Sequence, residues 1–154
     1  MTSESPSVSI LLARLAGTPV GLSASAVRDI VRSVAIAPLP GAPAIIEGAI
    51  NLHGRIVPVV DIRSRLQLPA LANAPDQFLV ILETSDRFIA IRVEEVDDVT
   101  DVSTAGLETQ AGLSPVIQRL SGVAATADGA LVIYDADAFL TQAEQDALAE
   151  AEAA

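Results

Sequence analysis

The amino-acid sequence predicts a mainly β fold built as two small barrels, and three features point to it. Half of the residues are hydrophobic, many of these are β-branched, and most fall in short runs, which favours strands over long helices. Turn signals are spaced through the chain as in all-β barrels, without a regular alternation of strand and helix. The two halves of the chain are also weakly similar. Any two series of hairpins share such alternation, but a true duplication predicts two pseudo-equivalent barrels.

The first series of predicted strands lies in the amino-terminal half. Ser23 is positioned to cap a helical turn at Ala24–Ala26, and Pro43 to start a second helical turn that ends near Glu47. A short helix is expected over residues 63–68. The strands are expected over residues 8–15, 20–22, 27–31, 49–52 and 56–60.

The second series of predicted strands fills the carboxyl-terminal half. Turns are expected at residues 84–86 and at Asp128-Gly129, and residues 116–125 should be extended or partly helical. Residues 135–154 are rich in Ala, Glu, Gln and Leu, which are strong helix formers, so the chain should end as a helix that frays beyond about Leu148. The strands are expected over residues 78–83, 88–93, 96–102 and 130–134.

The similarity between the two series appears when the sequence is shifted against itself. A shift of 69 residues places strand residues on counterparts of like character, and a shift of about 75 places His53-Gly54 on Asp128-Gly129. The pairs 69 residues apart include Val27 with Val96, Asp29 with Asp98 and Ile30 with Val99.

A duplication of this kind sets the expected domain organisation. We expect a single domain over residues 8–140, followed by the helical tail, with a disordered segment at residues 1–7. Within the domain, two lobes should be joined by a crossing segment. The lobes are expected at residues 8–65 and 76–134, and the crossing segment at 66–75.

Composition excludes several classes of function. The net charge is −11, with nine arginines and no lysine, so the basic stripe of a nucleic-acid-binding protein is missing and an anionic membrane surface is disfavoured. The chain has no cysteine, which excludes disulfides and thiolate metal sites. The sequence shows neither a signal peptide nor an apolar run of the ~18 residues that a membrane span needs. We therefore expect a soluble, cytoplasmic protein without direct membrane insertion.

Catalytic, metal and cofactor sites find little support in the sequence. With one histidine, no cysteine and no Gly-x-Ser-x-Gly elbow, no nucleophile–base pair stands out. The acidic residues lack the spacing of a calcium loop, and Asp135 and Asp137 are better read as caps of the last helix. Neither a Gly-x-Gly-x-x-Gly motif nor a Walker loop is present. We expect no catalytic residues, no metal and no cofactor.

The most informative stretch runs from Gly48 to Arg63. Two apolar runs are joined by His53-Gly54, where Gly54 can take the positive φ of a tight hairpin turn. Pro58 lies inside the second run and cannot donate to a ladder, so that strand should be an edge strand or carry a bulge. An edge strand is where another protein can add on.

The order of residues in this stretch resembles the signature of the CheW family, the adaptor proteins of bacterial chemotaxis arrays. His53 departs from the signature, because the family usually has arginine there. The resemblance runs from about residue 8 to 140 and implies two SH3-like five-stranded barrels around a shared core. The signature is met at Gly48, Asn51, Leu52, Gly54, Pro58, Val59, Asp61 and Arg63.

The resemblance also implies where partners bind. In CheW-like proteins a Val-x-Glu/Asp-Ile segment lines the surface that meets the receptor tip, and Val27 and Asp29 match it, although ordinary edge-strand patterning explains them equally well. Gly48 is either a bulge or a site where a partner's backbone comes close. His53 is either a solvent-facing turn residue or a contact. The implied partner-binding residues are Val27, Asp29, Gly48, Asn51, Leu52, His53, Gly54, Pro58, Val59 and Arg63.

The apolar residues of the hairpin suggest a further patch. Alternate residues of a strand point to opposite faces, so Ile50, Leu52, Ile56 and Val57 cannot all face one core. Some should be exposed and available to a partner, although core packing competes for each of them. The second lobe offers possible counterparts at Val123, Leu131 and Ile133.

The function that the resemblance implies is a non-enzymatic adaptor. It would bridge the cytoplasmic tip of a chemoreceptor (a methyl-accepting chemotaxis protein) and the regulatory domain of a CheA-like histidine kinase, itself built like CheW. One alternative is a regulator that binds the kinase competitively without coupling a receptor. A small hydrolase sharing the barrels is another, but it needs a polar pocket with converging ionisable groups. In place of arginine, His53 would bind a partner more weakly, select another, or respond to pH near 6.5, roughly the ordinary histidine pKa.

Overall fold

The computed structural model describes residues 7–103, 107–108, 120–126 and 129–153, and the fold is mainly β, as predicted. Residues 1–6 of the expected disordered segment, Asp128 and the expected segment 116–119 lie outside the described residues. Ser7, which was also expected to be disordered, begins the first strand. The strands are β1 (Ser7–Leu15), β2 (Thr18–Ser23), β3 (Val27–Arg32), β4 (Ile46–Leu52), β5 (Arg55–Val60), β6 (Phe78–Glu83), β7 (Phe88–Val93), β8 (Glu95–Ser103), β9 (Leu107–Glu108), β10 (Leu120–Thr126) and β11 (Gly129–Tyr134).

Helical structure is confined to short turns and the carboxyl-terminal helix. A 3₁₀ turn at Ala24–Ala26 precedes β3, and α1 (Ile62–Arg65) follows β5. A second 3₁₀ turn at Ala136–Ala138 leads to α2 (Gln142–Ala153). None of the helices in the described ranges is both long enough and apolar enough to cross a bilayer.

The strands form two sheets, and each sheet takes strands from both halves of the chain. A six-stranded sheet has the order β8-β1-β2-β11-β10-β9, and a five-stranded sheet has the order β3-β6-β7-β5-β4. The sheets therefore do not coincide with the expected lobes at 8–65 and 76–134. The expectation of one domain over residues 8–140 stays a prediction.

The strand register repeats along the chain. Leu11 pairs with Leu22 across β1 and β2, and the residues 69 positions later, Val80 and Ile91, pair across β6 and β7. The second hairpins repeat at a shift of 74, close to the expected 75. There the Leu52–Arg55 pair of β4 and β5 corresponds to the Thr126–Gly129 pair of β10 and β11.

The third strand of each repeat is exchanged. β3 pairs with β6 of the second repeat, and its counterpart β8 pairs with β1 of the first. The largest hydrophobic cluster contains residues of both sheets, such as Leu11 and Leu15 from β1 and Val80 and Leu82 from β6. The exchange thus joins the two repeats through one core.

The five-stranded sheet curls into an open barrel. Its terminal strands are β3 and β4, and the chain beyond β3 returns to β4, where Ala37 and Ala49 exchange two backbone hydrogen bonds of 2.9 and 2.8 Å. The interior of the curl is filled by a second apolar cluster that includes Ile50, Val57 and Leu79. This arrangement is consistent with the SH3-like barrels that the resemblance implies.

The structure corrects the expectation that Pro58 marks an edge strand. β5 lies between β4 and β7. Ala49, which pairs with Pro58, directs its backbone groups to Ala37, so this pair is not hydrogen-bonded and the Pro58 nitrogen faces β7. The pairing of β5 with β7 begins one residue later, at Val59. Proline is tolerated in an internal strand because no hydrogen bond of the ladder is required of it.

Several expected local features also differ. The turn after Ser23 forms without a hydrogen bond from its side chain, whose Oγ lies 3.0 Å from that of Ser25. Pro43 starts a hydrogen-bonded turn and no helix, since its carbonyl accepts the Ile46 N–H at the start of β4. The helix expected over 63–68 is the four-residue α1.

Candidate partner-binding surface

The hairpin between β4 and β5 ends in a tight turn shaped by two of the predicted residues. His53 and Gly54 have φ values of 50° and 85°, both in the left-handed region that a type I′ turn requires. The Asn51 Oδ1 atom accepts the Gly54 N–H at 2.8 Å. Asn51 and Gly54 thus fix the turn, and the His53 side chain is exposed at its tip.

Gly48 is a bulge, one of the two expected alternatives. The β4–β5 register shifts between Ile46 and Gly48, where φ is 155°. A Cβ atom at Gly48 would overlap the carbonyl oxygen of Ala37 and lie 2.7 Å from the Ile36 Cγ2 atom. The backbone that comes close to Gly48 is therefore that of the same chain.

Three predicted contact residues, Pro58, Val59 and Arg63, are buried. The Arg63 side chain is 6% exposed, donates to the Pro69 carbonyl at 2.9 Å and forms an ion pair with Glu94. Their burial removes these three residues from direct contact with a partner and corrects that expectation.

Glu94 was not identified from the sequence, and it connects Arg63 to another element. Its carboxylate accepts the Ala16 N–H at 2.6 Å in the β1–β2 turn. This hydrogen bond, followed by that from Arg63, holds the pKa of Glu94 below its usual range. Arg63 and Glu94 therefore tie α1 and the crossing segment to the β1–β2 turn.

Burial alternates along β3 as predicted, with Val27 and Asp29 half-buried. Ile30 is 38% exposed, and the Asp29 Oδ1 atom accepts its N–H at 2.8 Å. A bulge separates Val27 from Asp29 in the pairing with β6. The edge strand β3 thus presents an apolar side chain beside a carboxylate.

The counterpart of β3 is β8, which the sequence reasoning did not include among the site residues. Val99 corresponds to Ile30, occupies the same register position opposite β1 and is 55% exposed. Asp98 corresponds to Asp29 and is exposed as well. The shift of 69 residues was the signal that could have identified this second edge.

The charged side chains of the described residues leave an acidic surface. Each arginine in these ranges is engaged within the chain. Arg32 and Arg55 lie over the rings of Phe78 and Phe88, with 4.8 and 4.3 Å from guanidinium carbon to ring centroid. The other described arginines form ion pairs with carboxylates: Arg14, Arg28, Arg63, Arg65, Arg87 and Arg92.

A polar cleft of about 440 Å³ lies where the turns before β3 and β7 meet the 3₁₀ turn after β11. Its ionic groups are paired with neighbours: Arg28 with Glu83, and Asp137 with the Ser85 N–H and hydroxyl. Among the described residues, no three His, Cys, Asp or Glu side chains converge as a metal site. The arrangement is better suited to holding neighbouring segments than to binding a metal.

Two open β-barrels with apolar residues exposed at strand edges define a protein-interaction domain. A family model described as the CheW-like domain matches residues 9–144, and the chain belongs to this family of non-catalytic adaptor domains. It is similar to the chemotaxis protein CheW of Rhizobium meliloti (strain 1021), with 27% identity over 124 residues, 79% of this chain and 80% of that protein.

Two further similarities agree with this assignment. The chemotaxis protein CheW of Treponema pallidum (strain Nichols) is 27% identical over 135 residues, 84% of this chain and 79% of that protein. The crystal structure of the scaffolding protein TtCheW from Thermoanaerobacter tengcongensis matches with a TM-score of 0.81 and 25% identity, covering 90% of this chain and 96% of that one.

Proposed function

We propose that the protein is a non-enzymatic, cytoplasmic adaptor of chemotaxis that joins the tip of a chemoreceptor to the regulatory domain of a CheA-like histidine kinase. Membership of the CheW-like domain family carries this proposal. Relatives named chemotaxis protein CheW and a structural match named a scaffolding protein support it. Signal would pass through packing between the three proteins.

The receptor surface in this proposal comprises the edges of β3 and β8. Each edge offers one exposed aliphatic side chain, Ile30 or Val99, next to an aspartate. Two such edges related by duplication suit a helical hairpin, whose two helices are themselves alike, and apolar contacts would supply the affinity. Half-buried Val27 and its counterpart Val96 support the exposed residues from below.

The tip of the β4–β5 hairpin is a second contact in this proposal. Leu52 and His53 would touch a partner, with Asn51 and Gly54 shaping the turn, while buried Gly48, Pro58, Val59 and Arg63 hold the hairpin in place. Neutral histidine offers one donor and one acceptor, where arginine offers a charged planar fork. Contact at this position should therefore be weaker than in relatives with arginine.

A reconstitution experiment tests the adaptor function. Receptor-containing membranes, the CheA-like kinase and this protein are combined, and kinase activity is measured with and without receptor ligand. An adaptor makes the activity depend on ligand. A competitive regulator lowers the activity of a kinase already coupled by another adaptor and gives no ligand response, and that result would favour the alternative function.

The contribution of His53 is tested by replacing it with arginine. A charge-assisted hydrogen bond is roughly twice as strong as a neutral one, so His53→Arg should tighten binding by about 1 kcal/mol, or roughly fivefold. Titration calorimetry with the receptor tip and with the kinase regulatory domain measures the change. Unchanged affinity for both partners would remove His53 from the binding surface.

A further inference from the structure

An apolar groove of about 390 Å³ lies away from the β3 and β8 edges. Its walls are the loop after Ala37, the start of β5 and the end of α2. Ile56, one of the apolar hairpin residues, stands in this groove with 56% of its surface exposed, whereas Ile50 and Val57 are buried. The residues that line the groove are Leu39, Pro40, Ile56, Ala151 and Glu152.

The wall formed by α2 is fixed at three points. Arg65 reaches both carboxylate oxygens of Glu144 at 2.5 Å, and Arg87 reaches Glu152 at 2.5 Å. Between these ion pairs, the Leu148 side chain is fully buried. The groove is therefore a formed surface whose shape does not depend on a free helix end.

The groove is separate from the proposed receptor surface. Ile56 belongs to β5, and β6 and β7 stand between β3 and β5 in the sheet. At about 4.8 Å per strand, this order places roughly 14 Å between the two strands. A helical hairpin seated on the β3 and β8 edges would leave the groove open to another protein.

The charge around the groove indicates what kind of partner fits. Glu152 stands at its rim, and α2 carries further exposed carboxylates on Asp146 and Glu150. Arg55, next to Ile56, stacks over Phe88. A second copy of the chain would bring like charges together, so the complementary occupant carries a cationic side chain beside an apolar one.

We propose that this groove is the docking surface for the regulatory domain of the CheA-like kinase, which would insert an apolar side chain flanked by a cationic residue. The inference rests on the proposed function, because an adaptor needs two surfaces that can be occupied together. The proposed receptor site uses the β3 and β8 edges, which assigns the groove to the kinase.

Ile56→Glu tests the inference, with Val34→Glu as the matched control. Ile56 and Val34 are 56% and 52% exposed, so neither substitution should change the fold, and circular dichroism checks this. A carboxylate buried without a partner is costly, so Ile56→Glu should weaken binding of the purified kinase regulatory domain at least ~10-fold. Val34→Glu should stay within about twofold, and both variants should bind the receptor tip like wild type.

Three results would overturn the inference and leave the adaptor function standing. These are equal kinase affinity of Ile56→Glu and wild type, loss of receptor binding in place of kinase binding, and a concentration-dependent dimer that Ile56→Glu abolishes. Wild-type affinity that does not fall between about 50 and about 200 mM salt would contradict the cationic partner. A wild-type protein that binds no kinase domain would instead refute the proposed function, and the inference with it.

Discussion

At the scale of single residues, the two hairpin turns related by the duplication are fastened differently. In the β6–β7 turn, the Ser85 N–H donates directly to the Asp137 carboxylate at 2.6 Å. In the β1–β2 turn, the Ala16 N–H donates to Glu94, which is held by Arg63. Arg63 occupies the position that corresponds to Asp137. A cation at that position needs an intervening carboxylate, which explains why Arg63 is buried within the signature.

Replacing Arg63 should therefore weaken folding. Arg63→Met leaves Glu94 without its cation, and breaking a buried ion pair from one side should lower the free energy of unfolding by about 3 kcal/mol. Chemical denaturation followed by circular dichroism measures the loss. The control Arg14→Met breaks exposed pairs with Glu95 and Asp97 and should cost less than about 1 kcal/mol. Equal losses in the two variants would contradict the structural role of Arg63.

Gly48 and Gly54 allow a second comparison between two glycines of one hairpin. Gly48→Ala would place a methyl group against the Ala37 carbonyl and should cost about 2–4 kcal/mol, because backbone must move. Gly54→Ala meets no atom within 4 Å and should cost only the left-handed strain of about 1–2 kcal/mol. Thermal unfolding of both variants measures the difference. A Gly54→Ala variant as unstable as Gly48→Ala would show that conformation, and not contact, determines the loss.

At the scale of elements, the carboxyl-terminal helix shows what local sequence signals miss. Composition predicted a helix that frays beyond Leu148, whereas α2 continues to Ala153. The ion pair between Arg87 and Glu152 holds the last turn, and these residues are 65 positions apart. Helix propensity carries no information about such a partner. For the same reason, the position of β5 inside the sheet could not be read from Pro58.

The start of α2 makes stability depend on pH. Thr141 and Glu144 form a capping box, with the Thr141 N–H to Glu144 Oε1 distance at 2.8 Å. Burial alone would raise the pKa of Glu144, but the hydrogen bonds from Arg65 and the Thr141 N–H, with the charge of Arg65, hold it below 4.5. A carboxyl group whose pKa is lowered by folding stabilises the protein above its unfolded pKa. That stability is lost as the pH falls through the folded value.

Unfolding free energy should accordingly decline below about pH 4.5, with Glu94 contributing in the same direction. Denaturant titrations at several pH values, read by circular dichroism, measure this slope. Glu144→Gln should be less stable than wild type at neutral pH and should show a shallower decline in acid. A variant with the same slope as wild type would exclude Glu144 as a source of the pH dependence.

At the scale of the whole molecule, the duplication was visible in the sequence and its exchange of strands was not. The shift of 69 residues predicted which strands correspond, and the register of β1–β2 and β6–β7 follows it. The same alternation fits β3 beside either β1 or β6, because both offer equivalent apolar faces. The choice between them depends on how the chain crosses, which short-range patterns do not encode. The burial of Arg63 has the same origin, since its partner Glu94 lies on the other side of that crossing.

The exchange of β3 and β8 makes each repeat incomplete without the other, so a chain cut within the crossing segment should behave as a split protein. Fragments 1–70 and 71–154, produced separately, would each lack strands for both sheets and should give disordered circular-dichroism spectra. Co-expressed, they should associate as an obligate heterodimer of native secondary structure. A fragment that folds unaided would contradict this interdependence. Mutual completion of this kind also means that evolution could not discard either repeat while keeping the other intact.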